Sequence, residues 1–452
     1  LHQAEKIPLQ LSGDAVCREV LVGWDENVAE HEMQLKDEAE GSKKTDAVVA
    51  FITVMSLMAL ASLCIGTRKR RLSMTRNASL LQIVDSLNAG GMENIVVEVC
   101  NRLDPARFKV TVCCLSGSGP FARRLRPEVR VVALEKPSGF SWQAVRALRN
   151  LLKTGAYDVV HTHHLGGLIY AALARGCARR PRIVHSEHII LHDWELERRR
   201  LWQRWLLYRA AQCVFTVSSQ QMDQLRCLRL RHPHMFTLTN GVDGERFQPS
   251  PCSKQELRRR LGLPEDGLLL GKVARFATAK RHGALIEAFE RATARRPDLR
   301  LLLLGDGGIE QENVLARIAA SPAKNRIHWA GLQQDPAPWY QAMDVLVIAS
   351  DQEGLPNAAL EGMACGLPLL ANAACGVREV AQDGEHGWIG DFSTVARLAA
   401  ALDRVAGLSP DDLQKTGAAA AGHVHARFSM AGMLEKYDRL YTAVAAGKKA
   451  LP

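Results

Sequence analysis

Asp351-Gln352-Glu353-Gly354-Leu355-Pro356-Asn357-Ala358-Ala359-Leu360-Glu361-Gly362-Met363-Ala364-Cys365-Gly366-Leu367-Pro368 reads as a loop feeding a helix. Pro356 suits a first helical position, where its missing N–H costs nothing, and Gly366 followed by Pro368 is a stop signal. The spacing predicts a helix from about Pro356 to Cys365. Gly354 and Leu355 precede its positive end, where free backbone N–H groups favour an anion. Asn357 and Glu361 fall one turn apart on a shared face, while Leu360, Met363 and Ala364 can pack inward. Periodicity by itself describes only an amphipathic helix with two surface glutamates.

On either side of this helix stand apolar runs of strand length, Val345 to Ile348 and Leu367 to Ala371. They belong to a longer alternation. Strand candidates Leu80 to Leu87, Lys109 to Leu115, Val129 to Leu134, Val159 to Thr162, Ile183 to Ser186 and Cys213 to Val217 are separated by helices such as Trp142 to Lys153 and Gly166 to Arg175. After Asn240-Gly241-Val242-Asp243 come Leu268 to Val273, Leu299 to Leu304 and Arg326 to Trp329, with helices at Ala279 to Ala294 and Gly308 to Ala320. The pattern predicts an α/β protein of two doubly wound, Rossmann-like domains with a hinge near 240–250. The expected units are residues 79–242, residues 243–425, and a last amphipathic segment, 426–446, packing back across the hinge on the first domain.

The chain of 452 residues is long enough for two sizeable cores, and its composition is that of a globular protein. A formal charge of +10 fits an anionic membrane surface or a phosphorylated substrate. Nucleic acid is the weakest partner, because the arginines are scattered and no nucleic-acid module appears. Eleven cysteines without CxxC spacing argue for reduced thiols rather than disulfides or a zinc site.

Residues 1–46 carry acids without a sustained apolar period and read as a flexible acidic segment. Ala47 to Gly66 is uncharged and mostly apolar, long enough at about 1.5 Å per residue to cross a hydrocarbon core of about 30 Å. Arg68-Lys69-Arg70-Arg71 follow, which puts everything after them in the cytoplasm by the positive-inside rule. Two readings stand side by side: residues 47–66 anchor the protein as a transmembrane helix, or residues 1–73 are a start-site artefact and the working protein begins at Met74.

Ligands of such sheets sit beyond the carboxyl ends of the strands, here in the cleft between two domains. Gly90-Gly91 follow the first strand and open a helix near Met92, where backbone can approach a phosphate or sugar. Arg275 can fork onto phosphate oxygens and Lys280 adds a point charge. Gly305-Asp306-Gly307-Gly308 lack the Walker lysine and the full dinucleotide spacing, so neither a P-loop nor a Rossmann cofactor site is supported. His161, His163, His164, His185 and His188 cluster at two strand ends. Neither a helical HExxH pair nor cysteine partners accompany them, so cleft-lining histidines are expected before zinc.

With these motifs in order, the chain resembles the family-4 retaining glycosyltransferases of the GT-B fold (glycosyltransferase group 1). The carriers are Glu353 and Glu361 in Glu-Gly-Leu-Pro-Asn-Ala-Ala-Leu-Glu, His-Thr-His-His at 161–164, Val-His-Ser-Glu-His at 184–188, Thr-Asn-Gly-Val-Asp at 239–243, the Arg275/Lys280 pair and Leu-Leu-Gly-Asp-Gly at 303–307. Ser-Leu-Asn-Ala-Gly-Gly-Met-Glu-Asn at 86–94 is similar to the subgroup of exosortase and exopolysaccharide loci. The resemblance spans roughly Ser79 to Tyr441.

The resemblance implies a hexosyltransferase acting in cell-envelope or exopolysaccharide synthesis, with an acceptor-side first domain and a nucleotide-sugar-binding second domain. The nucleotide-diphosphate-sugar donor would be held by Arg275, Lys280 and backbone near Gly354, Leu355, Asn357 and Ala358, with Glu361 on the ribose and Glu353 on a hexose hydroxyl. His188 would assist at the reacting centre, Gly90 and Gly91 would leave room for the sugar or diphosphate, and His161, His163 and Asn240 would shape the cleft. The acceptor would be a glycan or a lipid-linked sugar. No metal and no other cofactor is implied, consistent with the lack of an Asp-x-Asp. The glutamates do not suit a retaining glycosidase, which needs carboxyls about 5 to 5.5 Å apart, because eight helical residues rise about 12 Å. A sugar-nucleotide epimerase of the same fold and a non-catalytic sugar-nucleotide-binding protein are the alternatives.

Residues 191–209 place Trp194, Leu201, Trp205 and Tyr208 at spacings of one helical face, with Arg198, Arg199, Arg200 and Arg204 alongside. Either the aromatics enter the core and the arginines face solvent, the plainer expectation, or the helix rests on the anionic inner-membrane surface.

Overall fold

The structure, a computed structural model, describes residues 77–351 and 353–448. The acidic segment 1–46, the apolar run 47–66 and the alternative start at Met74 lie outside the described residues. Among the described residues no helix is long and apolar enough to cross a membrane.

The first sheet holds β1 (Ala78–Ser86), β2 (Phe108–Gly117), β3 (Arg130–Ala133), β4 (Val159–His163), β5 (Arg182–Glu187), β6 (Ala211–Thr216) and β7 (Met235–Thr237). All pairings are parallel and the order is β3-β2-β1-β4-β5-β6-β7. The second sheet, β8 (Leu268–Val273), β9 (Leu299–Leu304), β10 (Ile327–Gly331), β11 (Val345–Ile348), β12 (Leu369–Asn372) and β13 (Gly387–Gly390), is also parallel, ordered β10-β9-β8-β11-β12-β13. Each sheet reverses direction beside its first strand, which opens a crevice at the carboxyl ends. Leu80, Leu81, Ile83 and Val84 of β1 are all buried, as a parallel strand covered on both faces requires.

Helices α1 (Gly91–Arg102), α2 (Trp142–Gly155), α3 (His164–Arg175), α4 (Arg198–Leu207) and α5 (Ser219–Cys227) cover the first sheet. The second is covered by α6 (Lys254–Arg260), α7 (His282–Thr293), α8 (Gln311–Ala320), α9 (Ala337–Ala342), α10 (Asn357–Ala364), α11 (Val395–Ala406) and α12 (Pro410–Arg427). The last helix, α13 (Met430–Ala446), returns to the first domain, where Tyr437, Leu440, Tyr441 and Val444 join the core of that sheet. The two crossings lie side by side: the Val242 N–H donates to the Phe428 carbonyl at 2.8 Å, and the Met430 N–H to the Val242 carbonyl at 2.9 Å.

α10 is the helix foreseen at residues 356–365, with one difference. Pro356 is its N-cap, with an extended ψ of 103°, so the helix proper starts at Asn357. Its end is a Schellman motif, in which the Leu367 N–H reaches the Gly362 carbonyl (3.0 Å), the Gly366 N–H reaches Met363 (2.9 Å), and Gly366 takes φ +84°. Leu360, Met363 and Ala364 are buried, as their spacing required.

α4 overturns the plainer expectation for residues 191–209. Leu201 and Tyr208 are buried, but Trp194 and Trp205 are exposed, with Trp202 beside them, and Arg204 is only 1% exposed. Arg204 turns inward because two buried carboxylates await it: its Nε donates to Glu187 Oε1 at 2.8 Å and its Nη2 to Glu195 Oε2. One of these partners lies on β5, so helical spacing alone could not reveal the choice.

Candidate active site

Lys280 and Glu353 meet at the carboxyl end of the second sheet, Nζ to Oε2 2.8 Å. Lys280 closes a short 3-10 turn after β8 and Glu353 stands in the loop before α10. Burial would raise the Glu353 carboxyl, but Lys280, a hydrogen bond from Ser350 and the charge of Lys272 hold it below the usual range. Lys272 is a cation the sequence reading missed. It sits in β8, 2% exposed, and burial pulls its ammonium down to about 8 against the favourable charge of Glu353. Its signal in the sequence was one charge inside the apolar run Leu-Leu-Leu-Gly-Lys-Val. Arg275 is exposed nearby and acts electrostatically on Glu93 of α1, across the cleft.

Glu361 points elsewhere. The Tyr340 hydroxyl donates to its Oε2 at 2.8 Å. Burial raises the carboxyl to about 7, countered by Tyr340 and by the charges of Arg246 and Arg124. Beside it lies a pocket of about 50 Å³ lined by Asn94, Glu98 and Arg102 of α1 and by Arg246, Asn357 and Glu361, room for a few waters. Folded Glu361 therefore keeps a proton that the unfolded chain releases from about 4.5 upward. Stability of the unliganded protein is expected to fall as pH rises from about 4.5 to 7, by up to about 3 kcal/mol from this group. Urea titrations at pH 5 and 7.5 check it: Glu361→Gln should flatten the slope, and an unchanged slope removes Glu361 as the source.

The start of α10 meets the first domain through the Asn357 side chain. Asn357 Nδ2 donates to the Gly91 carbonyl at 2.9 Å and its Oδ1 accepts from Asn240 at 2.7 Å. A side chain at Gly91 would come within 3.0 Å of Asn357, and one at Gly90 would strike the Glu93 carboxylate at 2.2 Å. Gly354 packs on the His188 carbonyl, where a Cβ would sit at 2.4 Å. The Leu355 side chain is in the core and Ala358 packs partly against it, so both can face a ligand only through their backbone. A second contact between the domains runs from Ser219 N–H and Oγ to the Glu379 carboxylate, 2.8 and 3.1 Å.

The histidines form a hydrogen-bonded chain. Gln82 Oε1 lies 2.9 Å from His163 Nε2, which makes His163 Nδ1 an acceptor. His188 Nε2, 3.0 Å from that Nδ1 and 2.8 Å from Ser186 Oγ, then carries the proton and leaves His188 Nδ1 as the basic atom. His161 Nε2 reaches Ser186 Oγ at 3.0 Å, and its Nδ1 lies 2.8 Å from Tyr441 Oη of α13. Burial and the neighbouring imidazoles hold His161, His163 and His188 well below the ordinary histidine value, so all three are neutral. His161 and His163 are buried and support His188 rather than line open space. Gln82, Ser186 and Tyr441 are the residues that sequence reasoning did not single out here; only Ser186 stood within a motif it had quoted. Among the described residues no group of three or more His, Cys, Asp or Glu is arranged to hold a metal ion.

The description "Glycosyltransferase Family 4" matches residues 89–246 and "Glycosyl transferases group 1" matches residues 253–421. The "Putative glycosyltransferase EpsD" of Bacillus subtilis is 31% identical over 318 residues, 66% of this chain and 80% of that protein. The UDP-Gal:alpha-D-GlcNAc-diphosphoundecaprenol alpha-1,3-galactosyltransferase of Escherichia coli is 25% identical over 70% of this chain and 84% of its own. Anabaena HepE, solved with UDP and glucose, superposes with a TM-score of 0.72 at 20% identity, covering 81% of this chain and all of that one, and so shares the fold. On both halves of its length the chain belongs to the group 1, family 4 glycosyltransferases, built on the GT-B fold.

Proposed function

We propose that this glycosyltransferase moves a hexose-type sugar, with retained configuration, from a nucleotide-diphosphate-sugar to a glycan or lipid-linked acceptor in cell-envelope or exopolysaccharide synthesis. The observation that carries the reading is the Lys280–Glu353 pair at the carboxyl end of the second sheet, with exposed Arg275 in the loop after β8 and the His188 carbonyl of the first domain against Gly354, the residue after Glu353. Lys280 and Arg275 offset the diphosphate and stabilise the charge that grows on it as it leaves; the leaving phosphate accepts the acceptor proton, so positioning and electrostatics dominate. Glu353 takes a hexose hydroxyl and Glu361 the ribose. Free N–H groups at the start of α10 add to the phosphate site. His188, held by His163 and Ser186, stands near the reacting centre. None of these roles requires a metal. The domains can part about the paired crossings at Val242 and Ser429 to admit the donor.

The relatives named above support a nucleotide-sugar donor: HepE was solved with UDP and the E. coli enzyme uses UDP-Gal. A thermal-shift panel of UDP-sugars and GDP-mannose tests the reading, since a ligand that binds only the folded state stabilises it. One donor should raise Tm selectively. His188→Ala should keep that shift while lowering kcat about 10²-fold. A protein that responds to no nucleotide-sugar contradicts the proposal.

The exposed face of α4 and of the 3-10 turn before it, Asp193–Leu196, supports placement against a membrane surface. Trp194, Trp202 and Trp205 are each at least 36% exposed, with the Arg200 guanidinium 4.3 Å from the Trp194 ring centroid and Arg209 3.6 Å from that of Trp205. Arginine and tryptophan together suit anionic headgroups. The protein should co-sediment with phosphatidylglycerol vesicles at low salt, and Trp194→Ala with Trp205→Ala should release it. Wild-type protein left in the supernatant would sink the idea.

A further inference from the structure

The carboxyl ends of β1, β2 and β3 carry an aromatic corner that the donor side does not use. Phe140, in the loop after β3, lies nearly parallel to Tyr170 of α3, centroids 5.5 Å apart at 25°. Trp142, the first residue of α2, meets Phe140 at 87° and 5.1 Å. Phe140 and Trp142 are 45% and 41% exposed, whereas Tyr170 is buried. The Tyr170 hydroxyl accepts the Ser141 N–H at 2.8 Å, and the Ser141 side chain caps α2, so the corner is fixed from below. Asp85, near the end of β1, is exposed; Ser116 Oγ donates to it at 3.0 Å, and it forms no ion pair among the described residues. Its charge is felt by Tyr170 on one side and by Glu93 on the other, and Glu93 in turn feels Arg275 of the second domain. Asp85 stands near the end of β1, five residues before Gly90, and Phe140 follows β3, so the corner and the cleft share the carboxyl edge of one parallel sheet.

We propose that Phe140, Trp142 and Asp85 form an acceptor subsite for an uncharged pyranose, which lays a C–H face on the rings and donates its hydroxyls to the carboxylate. The proposal rests on reading the cleft as the site of glycosyl transfer. A pyranose is apolar on its C–H faces and polar at its rim, and rings meeting at right angles beside an unpaired carboxylate match both. Lys136 Nζ is taken up by the carbonyls of Pro137 and Gly139 at 3.0 and 3.1 Å, so the exposed Asp85 carboxylate is the charge that disfavours a phosphorylated or acidic sugar. Two rings make a smaller apolar area than the several hundred Å² typical of a protein-docking patch.

The test uses the full chain with the methyl pyranosides of glucose, galactose, mannose and N-acetylglucosamine at tens of millimolar, read by saturation-transfer NMR, with glucose 6-phosphate as the charged probe. At least one methyl pyranoside should receive saturation at its ring C–H protons. Phe140→Ala and Trp142→Ala should each weaken that transfer at least fivefold, while keeping the wild-type thermal shift with nucleotide-sugar. No transfer to any methyl pyranoside, transfer that survives in the double variant, or tighter binding of glucose 6-phosphate overturns the proposal. So does a change of sedimentation mass in the double variant with pyranoside binding unaltered, which would assign the rings to a second copy. A wild-type protein that binds a pyranoside at the corner but shifts with no nucleotide-sugar would refute the donor reading and leave the corner a pyranose site.

Discussion

Lys280→Ala is expected to lower kcat/KM by about 10²- to 10³-fold, or about 3 to 4 kcal/mol, the scale of one lost electrostatic contact to a developing anion. Two effects combine in that number and they can be separated. Lys280 holds Glu353 at 2.8 Å, so its removal strands a carboxylate with little but Lys272 and Ser350 beside it. In the proposed mechanism Lys280 also binds the diphosphate, and it cannot serve both partners fully. Glu353 therefore competes with the phosphate. Glu353→Gln should tighten binding of the bare nucleoside diphosphate about 3- to 10-fold by freeing Lys280, and weaken binding of the nucleotide-sugar, whose hexose hydroxyl has lost its acceptor. Lys280→Ala should weaken both ligands. Isothermal titration with the diphosphate that wild-type protein binds gives the answer. If Lys280→Ala leaves its affinity unchanged, Lys280 serves only to position Glu353.

The backbone of this site was legible in the sequence because its signals are local. Gly366 and Pro368 end α10 by their own conformational limits, and the alternation of branched runs with helical periods sets two parallel sheets whose carboxyl ends must face a common crevice. Side-chain partners were legible only where a motif kept them close. Ser186 stands two residues from His188, whereas Tyr441 reaches His161 across 280 positions and Gln82 across 359. No period records such contacts, and α13 showed only an amphipathic stripe. Lys272 was hidden for a different reason: a lysine in an apolar strand departs from the pattern of its neighbours, and its meaning depends on the charge of Glu353 from another loop. The tryptophans of α4 failed because hydrophobicity was taken to decide which stripe turns inward, when two buried carboxylates decided it.

Those carboxylates make Arg204→Met the most destabilising single change expected here. The guanidinium joins Glu187 and Glu195 in a dry site, and Glu187 Oε1 also accepts from the Tyr208 hydroxyl at 2.9 Å. Burial would raise the Glu187 carboxyl, but Arg204 and His185 hold it well below the usual range. A depressed carboxylate contributes stability that is present above its unfolded value, near 4.5, and lost as pH falls through the folded one. Removing Arg204 strands the buried Glu187 carboxylate and leaves Glu195 only its longer contact with Arg200 at 3.7 Å, at a cost of about 3 to 5 kcal/mol at neutral pH. The sign of the pH dependence should then reverse. In the variant the buried Glu187 carboxyl loses the cation that held it down and is forced upward, so protonation relieves it and urea stability should recover as pH falls from 7 toward 5, where this network in the wild type gains nothing. Adding Glu187→Gln and Glu195→Gln to Arg204→Met should restore part of the loss, because neutral amides in that site cost less than unpaired carboxylates. Glu187 immediately precedes His188, so the single variant should also lose kcat in proportion to how far β5 shifts. A variant within 1 kcal/mol of wild type at pH 7, on the scale of an exposed pair, would mean that water reaches the site and that Arg204 does not set the inward face of α4.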